Sequence, residues 1–138
     1  MNKYLNANIV FSKFSRVYME LKKDLPIRPS EMGLLNIITK KSGYFTPVMI
    51  AEMLEVTKPM VANHVSVLEK NGYITKEYSE TDKRSFYVVP TDKAKKLVAE
   101  TEAKLNKKLS NLENKIGINK FEELVKTLEK AKEILEED

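Results

Sequence analysis

Two helix-start signals lie close together in the middle of the chain and limit what can form between them. Thr46-Pro47 and Thr57-Lys58-Pro59 each join threonine, a preferred helix-capping residue, to a proline that suits the first turn of a helix. First-turn amides have no partner within the helix, so the missing proline N–H breaks no hydrogen bond there. The two signals therefore predict a short helix, a tight turn and a second helix that begins at Thr57.

The segment after this second start signal has the pattern of a helix followed by a hairpin. Val61, Val65 and Leu68 form one apolar stripe, and Gly72 suits a left-handed cap after a helix that runs to about Asn71. Segments 73–78 and 85–89 are rich in strand-forming residues, and the polar sequence SETDKR joins them as a loop. This order of elements is a winged helix-turn-helix, whose common use is to place one helix in the major groove of duplex DNA.

Longer amphipathic segments flank this unit on both sides. Apolar residues recur at three- and four-residue steps over about 4–24 and 31–41, and again from Thr91 to about 115 and after Gly117. Ser30 and Asn119 are the expected caps of two of these helices. The fold class is therefore predicted as mainly α with a small β-hairpin wing, in a single chain of 1–138. Residues 30–90 form the winged part, and residues 1–25 and 91–138 form the helical dimerisation part.

The apolar stripes of the flanking helices also predict a partner. They are more extensive than a small winged unit can cover, and an isologous homodimer is the common way to bury such surface. An intramolecular helix bundle is the alternative.

Composition excludes several classes of function. The chain of 138 residues has no cysteine and one histidine, which rules out disulfides and thiolate metal sites and leaves no basis for a zinc site. No carboxylate, serine or cysteine has a spacing that would form a catalytic triad with the histidine, so we expect no enzyme, cofactor or metal. Neither an apolar run of membrane-spanning length nor a signal peptide is evident, so we expect a cytoplasmic protein that does not bind membranes.

Net charge agrees with nucleic-acid binding only weakly. The chain carries +4 overall, but residues 46–90 hold five Lys/Arg against six Asp/Glu. A lysine-rich protein without a nucleic-acid partner would show the same total. The position of the positive residues therefore says more than their number.

The helix that begins at Thr57 would carry the DNA contacts. With its apolar stripe turned inward, Asn63 is exposed and can pair bidentately with adenine, Ser66 can bond a base edge or a phosphate, and Lys58 can reach guanine or phosphate. The predicted contacts on this helix are Thr57, Lys58, Pro59, Met60, Ala62, Asn63, Ser66 and Lys70. The alternative is a solvated helix face of mixed composition.

The loop of the hairpin would supply a second contact. Asp82, Lys83, Arg84 and Ser85 are its predicted DNA-binding residues. Arg84 can enter a narrow minor groove, where negative potential is concentrated, and Asp82 can hold the guanidinium in one orientation. The alternative is an ordinary charged hairpin turn.

Two motifs resemble a known family. IAEMLEVTKPMVANHVSVLEKNGYI is similar to the helix-turn-helix of multiple-antibiotic-resistance (MarR) regulators, and TDKRSFYVVPTDKAKKL is similar to their wing, with its Asp-x-Arg signature. The resemblance implies that Arg84 is the minor-groove arginine, that Asp82 is its partner, and that the chain is a dimeric transcription factor, more often a repressor. It also implies intertwined terminal helices, a pseudo-palindromic double-stranded DNA site and a small effector, often an aromatic anion.

Two positions depart from the family pattern. Glu55 stands where such turns often have glycine, which leaves a different type of turn open. His64 stands where an aliphatic residue usually faces the core, and we expect a half-buried imidazole bonded to backbone or phosphate. A pH-sensitive contact at the DNA surface is the alternative for His64.

Other assignments also stay open at this stage. Phe11, Phe14, Arg16 and Tyr18 could line an effector pocket, although core and interface positions suit them better. A winged-helix module that binds proteins and not DNA is the alternative function. The basic loop together with Lys58 and Asn63 favours DNA, because a protein-binding unit would not need them.

Overall fold

The chain folds into six helices and one hairpin over the part of it that is described. In the computed structural model, which describes residues 2–137, the elements are α1 (Lys3–Glu20), α2 (Pro29–Lys40), α3 (Pro47–Leu54), α4 (Lys58–Lys70), β1 (Ile74–Tyr78), β2 (Phe86–Pro90), α5 (Asp92–Ile116) and α6 (Ile118–Glu136). The predicted order of helix, turn, helix and hairpin is confirmed, as is the mainly α fold class.

The apolar core lies among α2, α3, α4, the hairpin and the start of α5. Val61, Val65 and Leu68, the predicted inward stripe of α4, are 0%, 2% and 0% exposed. Ala94 and Val98 from the first turns of α5 join the same core. Because α4 is buried along this one stripe, its opposite face is fixed toward solvent.

Both predicted threonine caps are present at the start of the two central helices. The Thr46 hydroxyl oxygen accepts a hydrogen bond from the Met49 N–H at 3.3 Å, and the Thr57 oxygen accepts one from the Met60 N–H at 3.2 Å. Between the helices, Glu55 has φ 57° and ψ 44°, the left-handed conformation that favours glycine. The turn is therefore the type that glycine usually makes, and Glu55 adopts it despite its side chain.

Two other predicted caps are wrong. Pro29 occupies the first turn of α2, so the helix starts two residues earlier than expected and Arg28, not Ser30, is its cap residue. Gly117 has φ 97° and lets the chain turn at once into α6, so Gly117 stands at the cap position and Asn119 lies inside the helix. In both cases the backbone geometry of a proline or a glycine, and not a capping side chain, sets where the helix begins.

The hairpin is tied to the rest of the winged unit at its inner end. β1 and β2 pair antiparallel, with Ile74 opposite Pro90 and Tyr78 opposite Phe86. Val88 also donates its N–H to the Phe45 carbonyl at 2.8 Å, just before α3 begins. This third strand-like contact fixes the base of the hairpin against the start of the helix-turn-helix.

The chain divides into two compact units within α5. The first unit ends at Thr101 and contains the winged part, and the second begins at Glu102. The boundaries assigned from sequence, 30–90 for the winged part and 1–25 with 91–138 for dimerisation, remain predictions. None of the helices described is both long enough and apolar enough to span a membrane.

The terminal helices expose much of their apolar surface. α1 contains no buried residue between Lys3 and Glu20, and α6 contains none between Ile118 and Glu136. On α1, Phe11 and Val17 are 69% and 61% exposed, and on α6 Leu128 is 48% exposed. Apolar faces of this extent are typical of helices that pack on a partner.

Candidate nucleic-acid interface

The exposed face of α4 carries every predicted contact on that helix. The residues that lie in solvent are Thr57, Lys58, Pro59, Met60, Ala62, Asn63, Ser66 and Lys70. Most of them lie in the N-terminal half, which is the part of such a helix that meets base edges first. The side chains offer one amide, two hydroxyls, two ammonium groups and an apolar patch at Met60 and Ala62. This mixture can read bases as well as bind phosphate.

Asn63 lies beside a cavity as well as on the open face. The cavity, of about 290 Å³, is lined by Pro26, Ile27, Arg28, Glu31, Asn63, Val67 and Asn71. It lies between α4 and the start of α2, within the first unit. Asn63 therefore lies, with Val67 and Asn71, on the side of α4 that borders the start of α2.

His64 is placed differently from the expectation. Its side chain is 5% exposed, so it is buried and not half-buried. Neither ring nitrogen has a hydrogen-bond partner, and Nδ1 lies 4.0 Å from Oε2 of Glu31. The expected bond to backbone or phosphate is wrong, because the side chain points into the protein next to the aliphatic stripe and away from the exposed face of α4.

Glu31 completes this buried polar pair from α2. It is 3% exposed, and its Oε1 accepts a hydrogen bond from the Arg28 N–H at 2.8 Å. The carboxylate thus satisfies one of the free amides at the start of α2, while Oε2 faces His64. Sequence reasoning missed this role of Glu31, although its position three residues after Arg28 is the usual one for such a carboxylate.

The loop of the wing is organised by two side chains. Asp82 accepts hydrogen bonds from the Arg84 N–H at 3.0 Å through Oδ1 and from the Ser85 hydroxyl at 3.2 Å through Oδ2. Ser79, which was not predicted, accepts from the backbone N–H groups of Thr81 and Asp82 at 3.3 Å each. Local bonds of this type hold a turn without any apolar core.

Arg84 forms an ion pair with Asp82 and is still almost fully exposed. Its side chain is 96% exposed, and Nε lies 3.8 Å from Oδ1 of Asp82. An ion pair this exposed contributes little to stability, so its consequence is orientation. All four predicted residues of the wing lie at the surface, as expected: Asp82, Lys83, Arg84 and Ser85.

An ion pair joins the wing to α4 and was not predicted from sequence. Lys76 on β1 lies 3.6 Å from Oε1 of Glu69 near the end of α4, and its Nζ lies 4.9 Å from the centre of the Phe86 ring on β2. The Phe86 ring in turn packs on Tyr78, with centroids 5.7 Å apart. These contacts could not be predicted from sequence, because they join α4, β1 and β2, and they depend on how the strands pair and pack on the helix.

The residues considered for an effector pocket lie on the open surface of α1. Phe11 and Phe14 are 69% and 49% exposed, and Phe14 stacks on Tyr18 with centroids 6.2 Å apart. None of these residues, nor Arg16, lines the cavity beside α4. Among residues 2–137, no three His, Asp or Glu side chains lie close enough together to hold a metal ion.

Comparison with known proteins shows which family the winged part of the chain resembles. Residues 25–85, which include the helix-turn-helix and the wing up to Ser85, match the model of the MarR family. This part of the chain is similar to MarR-family regulators. The resemblance seen in the two sequence motifs is thereby confirmed, and the matched segment contains all the residues predicted to touch DNA.

Solved structures of MarR-type proteins extend the likeness to nearly the whole chain. FabT of Streptococcus pneumoniae in complex with DNA is 21% identical with a TM-score of 0.80, and the match covers 98% of each chain. MepR, a transcription regulator of the Staphylococcus aureus multidrug efflux pump MepA, is 20% identical with a TM-score of 0.69 and the same coverage. PefR of Streptococcus agalactiae in complex with heme is 24% identical with a TM-score of 0.66, over 94% of this chain and 93% of that one. At these identities the likeness establishes the fold.

Proposed function

We propose that this chain is a sequence-specific, DNA-binding transcriptional regulator of the MarR type. The observation that carries the proposal is the combination, in one folded unit, of an exposed polar face on α4 with a wing that presents Arg84 beside Asp82. A protein-binding winged helix would need neither feature. The solved complex of FabT with DNA supports the same use of this fold.

The two surfaces would read different parts of the duplex. Recognition helix α4 enters the major groove with its N-terminal half, where Asn63 pairs with adenine and Lys58 reaches guanine or phosphate. Arg84 extends from the wing into the adjacent minor groove, where narrow A·T tracts attract a guanidinium. Because residues 46–90 are not basic overall, we expect specificity to come from these few side chains more than from net charge.

The protein would act as a homodimer on a pseudo-palindromic site. α1 and α6 each expose apolar side chains and bury none within the chain, which leaves each of these faces for a second copy. Two copies related by a twofold axis read two half-sites about 34–36 Å apart, one helical turn of DNA. A dimer therefore converts a small recognition surface into a long operator.

We further propose ligand-responsive repression as the regulatory output. The bound dimer occludes a promoter, and a small effector, such as an aromatic anion, favours a spacing of the two recognition helices that no longer matches successive major grooves. The complex of PefR with heme supports the idea that this fold responds to a small molecule. With no membrane-spanning helix among those described, we place the regulator in the cytoplasm, where its DNA target lies.

The first experiment is fluorescence anisotropy with the duplex upstream of the protein's own gene and a shuffled duplex of equal composition. We expect tighter binding to the native duplex, with affinity that falls steeply as salt rises, because each displaced counterion contributes to the salt slope. Equal weak binding to both duplexes would contradict sequence specificity. Absence of binding even at low salt would instead favour the protein-interaction module.

A further inference from the structure

A hydroxyl group joins the end of recognition helix α4 to the start of α5. The Thr91 hydroxyl donates a hydrogen bond to the Gly72 carbonyl at 2.7 Å. The same oxygen accepts a hydrogen bond from the Ala94 N–H at 3.3 Å and so caps α5. One side chain therefore bonds to the C-terminal end of α4 and caps the N-terminus of α5, two helices that are separated in the chain by the hairpin.

The geometry of the α4 C-terminus explains why this carbonyl is available. Gly72 has φ 82°, its N–H donates to the Glu69 carbonyl at 3.1 Å, and the Tyr73 N–H donates to the Leu68 carbonyl at 2.9 Å. This paired arrangement is the Schellman motif, which satisfies carbonyls inside the last turn. The carbonyls of Asn71 and Gly72 lie beyond it and need a donor from elsewhere.

Residues around Thr91 supply both donors. Lys93 Nζ donates to the Asn71 carbonyl at 2.7 Å and lies 4.5 Å from the centre of the Tyr73 ring. The Thr91 N–H donates to the Tyr73 carbonyl at 3.0 Å. Three successive carbonyls after α4 thus receive hydrogen bonds from the first residues of α5 and its cap, and a cation at this position also suits the helix dipole.

We propose that Thr91 is a positioning residue for DNA reading, a proposal that rests on the DNA-binding function above. By donating to Gly72 while it caps α5, the hydroxyl fixes the orientation of recognition helix α4 relative to the first turns of α5. A change in the direction of α5 is then transmitted to α4 through this bond and the Lys93 contact. Thr91 itself does not touch the DNA.

The hydroxyl has two roles that substitution can separate. Thr91→Ser keeps both the donor and the acceptor. Thr91→Asp keeps the acceptor that caps α5, because aspartate is a preferred cap residue, but ionised aspartate has no proton to give to Gly72. Lys96→Met on the exposed side of α5 changes net charge by the same single unit as Thr91→Asp and is the matched control.

The test measures the ratio of affinities for the native and shuffled duplexes across a salt series. We expect Thr91→Asp to lower this ratio about fivefold, the effect of one lost hydrogen bond, while Thr91→Ser and Lys96→Met keep it. A change in net charge alone lowers affinity for both duplexes together and leaves the ratio unchanged. A wild-type ratio in Thr91→Asp would overturn the proposal.

Hydrogen exchange of the free protein provides a second readout that does not depend on DNA. In Thr91→Asp we expect faster exchange at the Gly72 and Tyr73 amides and unchanged protection at Ala94. Loss of protection at Ala94 without faster exchange at Gly72 and Tyr73 would mean that the hydroxyl acts only as a cap of α5, which contradicts the proposal. If the wild-type protein does not distinguish the two duplexes, the proposed function is wrong. Unchanged exchange at the Gly72 amide in Thr91→Asp would separately overturn the proposed link between α4 and α5.

Discussion

Asp82 accepts a hydrogen bond from the backbone N–H of Arg84 at 3.0 Å, and the same oxygen, Oδ1, lies 3.8 Å from Nε of that arginine. A single carboxylate oxygen thus sets both the backbone turn and the direction of the guanidinium. The arrangement costs little to form, because all its groups are exposed. If Arg84 enters a groove as proposed, this contact would direct the side chain before DNA binds and lower the entropy lost on binding.

Replacement of Arg84 by alanine should weaken operator binding by about 1–3 kcal/mol and flatten the preference for A·T-rich flanking sequence. The reason is loss of the guanidinium from a narrow minor groove. Anisotropy titrations with duplexes that differ only in their flanks measure both effects. Lys83→Ala removes the same charge from the neighbouring position and should affect all duplexes alike; equal behaviour of the two variants would argue against a special role for Arg84.

Replacement of Asn63 by alanine should relax base preference at one position in each half-site. A bidentate amide–adenine pair contributes about 1–3 kcal/mol of discrimination, and alanine cannot replace it. Selection from a randomised duplex library followed by sequencing shows the change directly. Ser66→Ala, one turn further along α4, is the comparison, and an unchanged profile for Asn63→Ala would leave no direct readout by that amide.

Replacement of His64 by leucine should stabilise the folded protein by about 1 kcal/mol or more. Both ring nitrogens are buried without a hydrogen-bond partner, and an apolar side chain of similar size removes that penalty. The midpoint of urea unfolding at fixed protein concentration measures the effect. His64→Gln keeps a polar group in the same place and should not stabilise; a less stable leucine variant would show that the imidazole is hydrogen-bonded in solution or pairs with the Glu31 carboxylate, 4.0 Å away.

Replacement of Glu55 by glycine should also stabilise the protein, by about 1 kcal/mol. Glu55 has φ 57°, and a left-handed conformation costs a residue with a Cβ roughly 1–2 kcal/mol. Glu52→Gly is the control and should lower stability, because glycine inside helix α3 destabilises the helix by about 1 kcal/mol. Thermal unfolding of both variants tests the pair, and a lower melting temperature for Glu55→Gly would be evidence against the left-handed turn.

Replacement of Phe11 by glutamate should raise the dissociation constant of the homodimer at least tenfold. Phe11 is 69% exposed within one chain, and burial of a phenylalanine at an interface contributes about 1.5–3 kcal/mol. Sedimentation equilibrium at several concentrations measures the change. Ser12→Glu adds the same charge at the adjacent exposed position and should have less effect; an unchanged dimer in Phe11→Glu would exclude this face of α1 from the interface.

Much of the winged unit was predictable because its signals are local. Thr46 and Thr57 cap their helices through amides three residues away, and the stripe of Val61, Val65 and Leu68 follows from helical period alone. The wing residues Asp82 and Arg84 are likewise neighbours in the chain, so their contact could be expected from spacing. Ser30 and Asn119 failed as caps because Pro29 and Gly117 fix the backbone at those boundaries.

The sequence by itself determined the order of elements, the inward face of α4 and the likeness to MarR regulators, since each depends on residues within a few positions of one another. Only the tertiary structure decided which distant groups meet. It buried His64 against Glu31, set Lys76 between Glu69 and Phe86, and brought the Thr91 hydroxyl to the Gly72 carbonyl. The physical reason is that these contacts depend on how α2, α4, the hairpin and α5 pack, and apolar packing has no direction that a local pattern can encode.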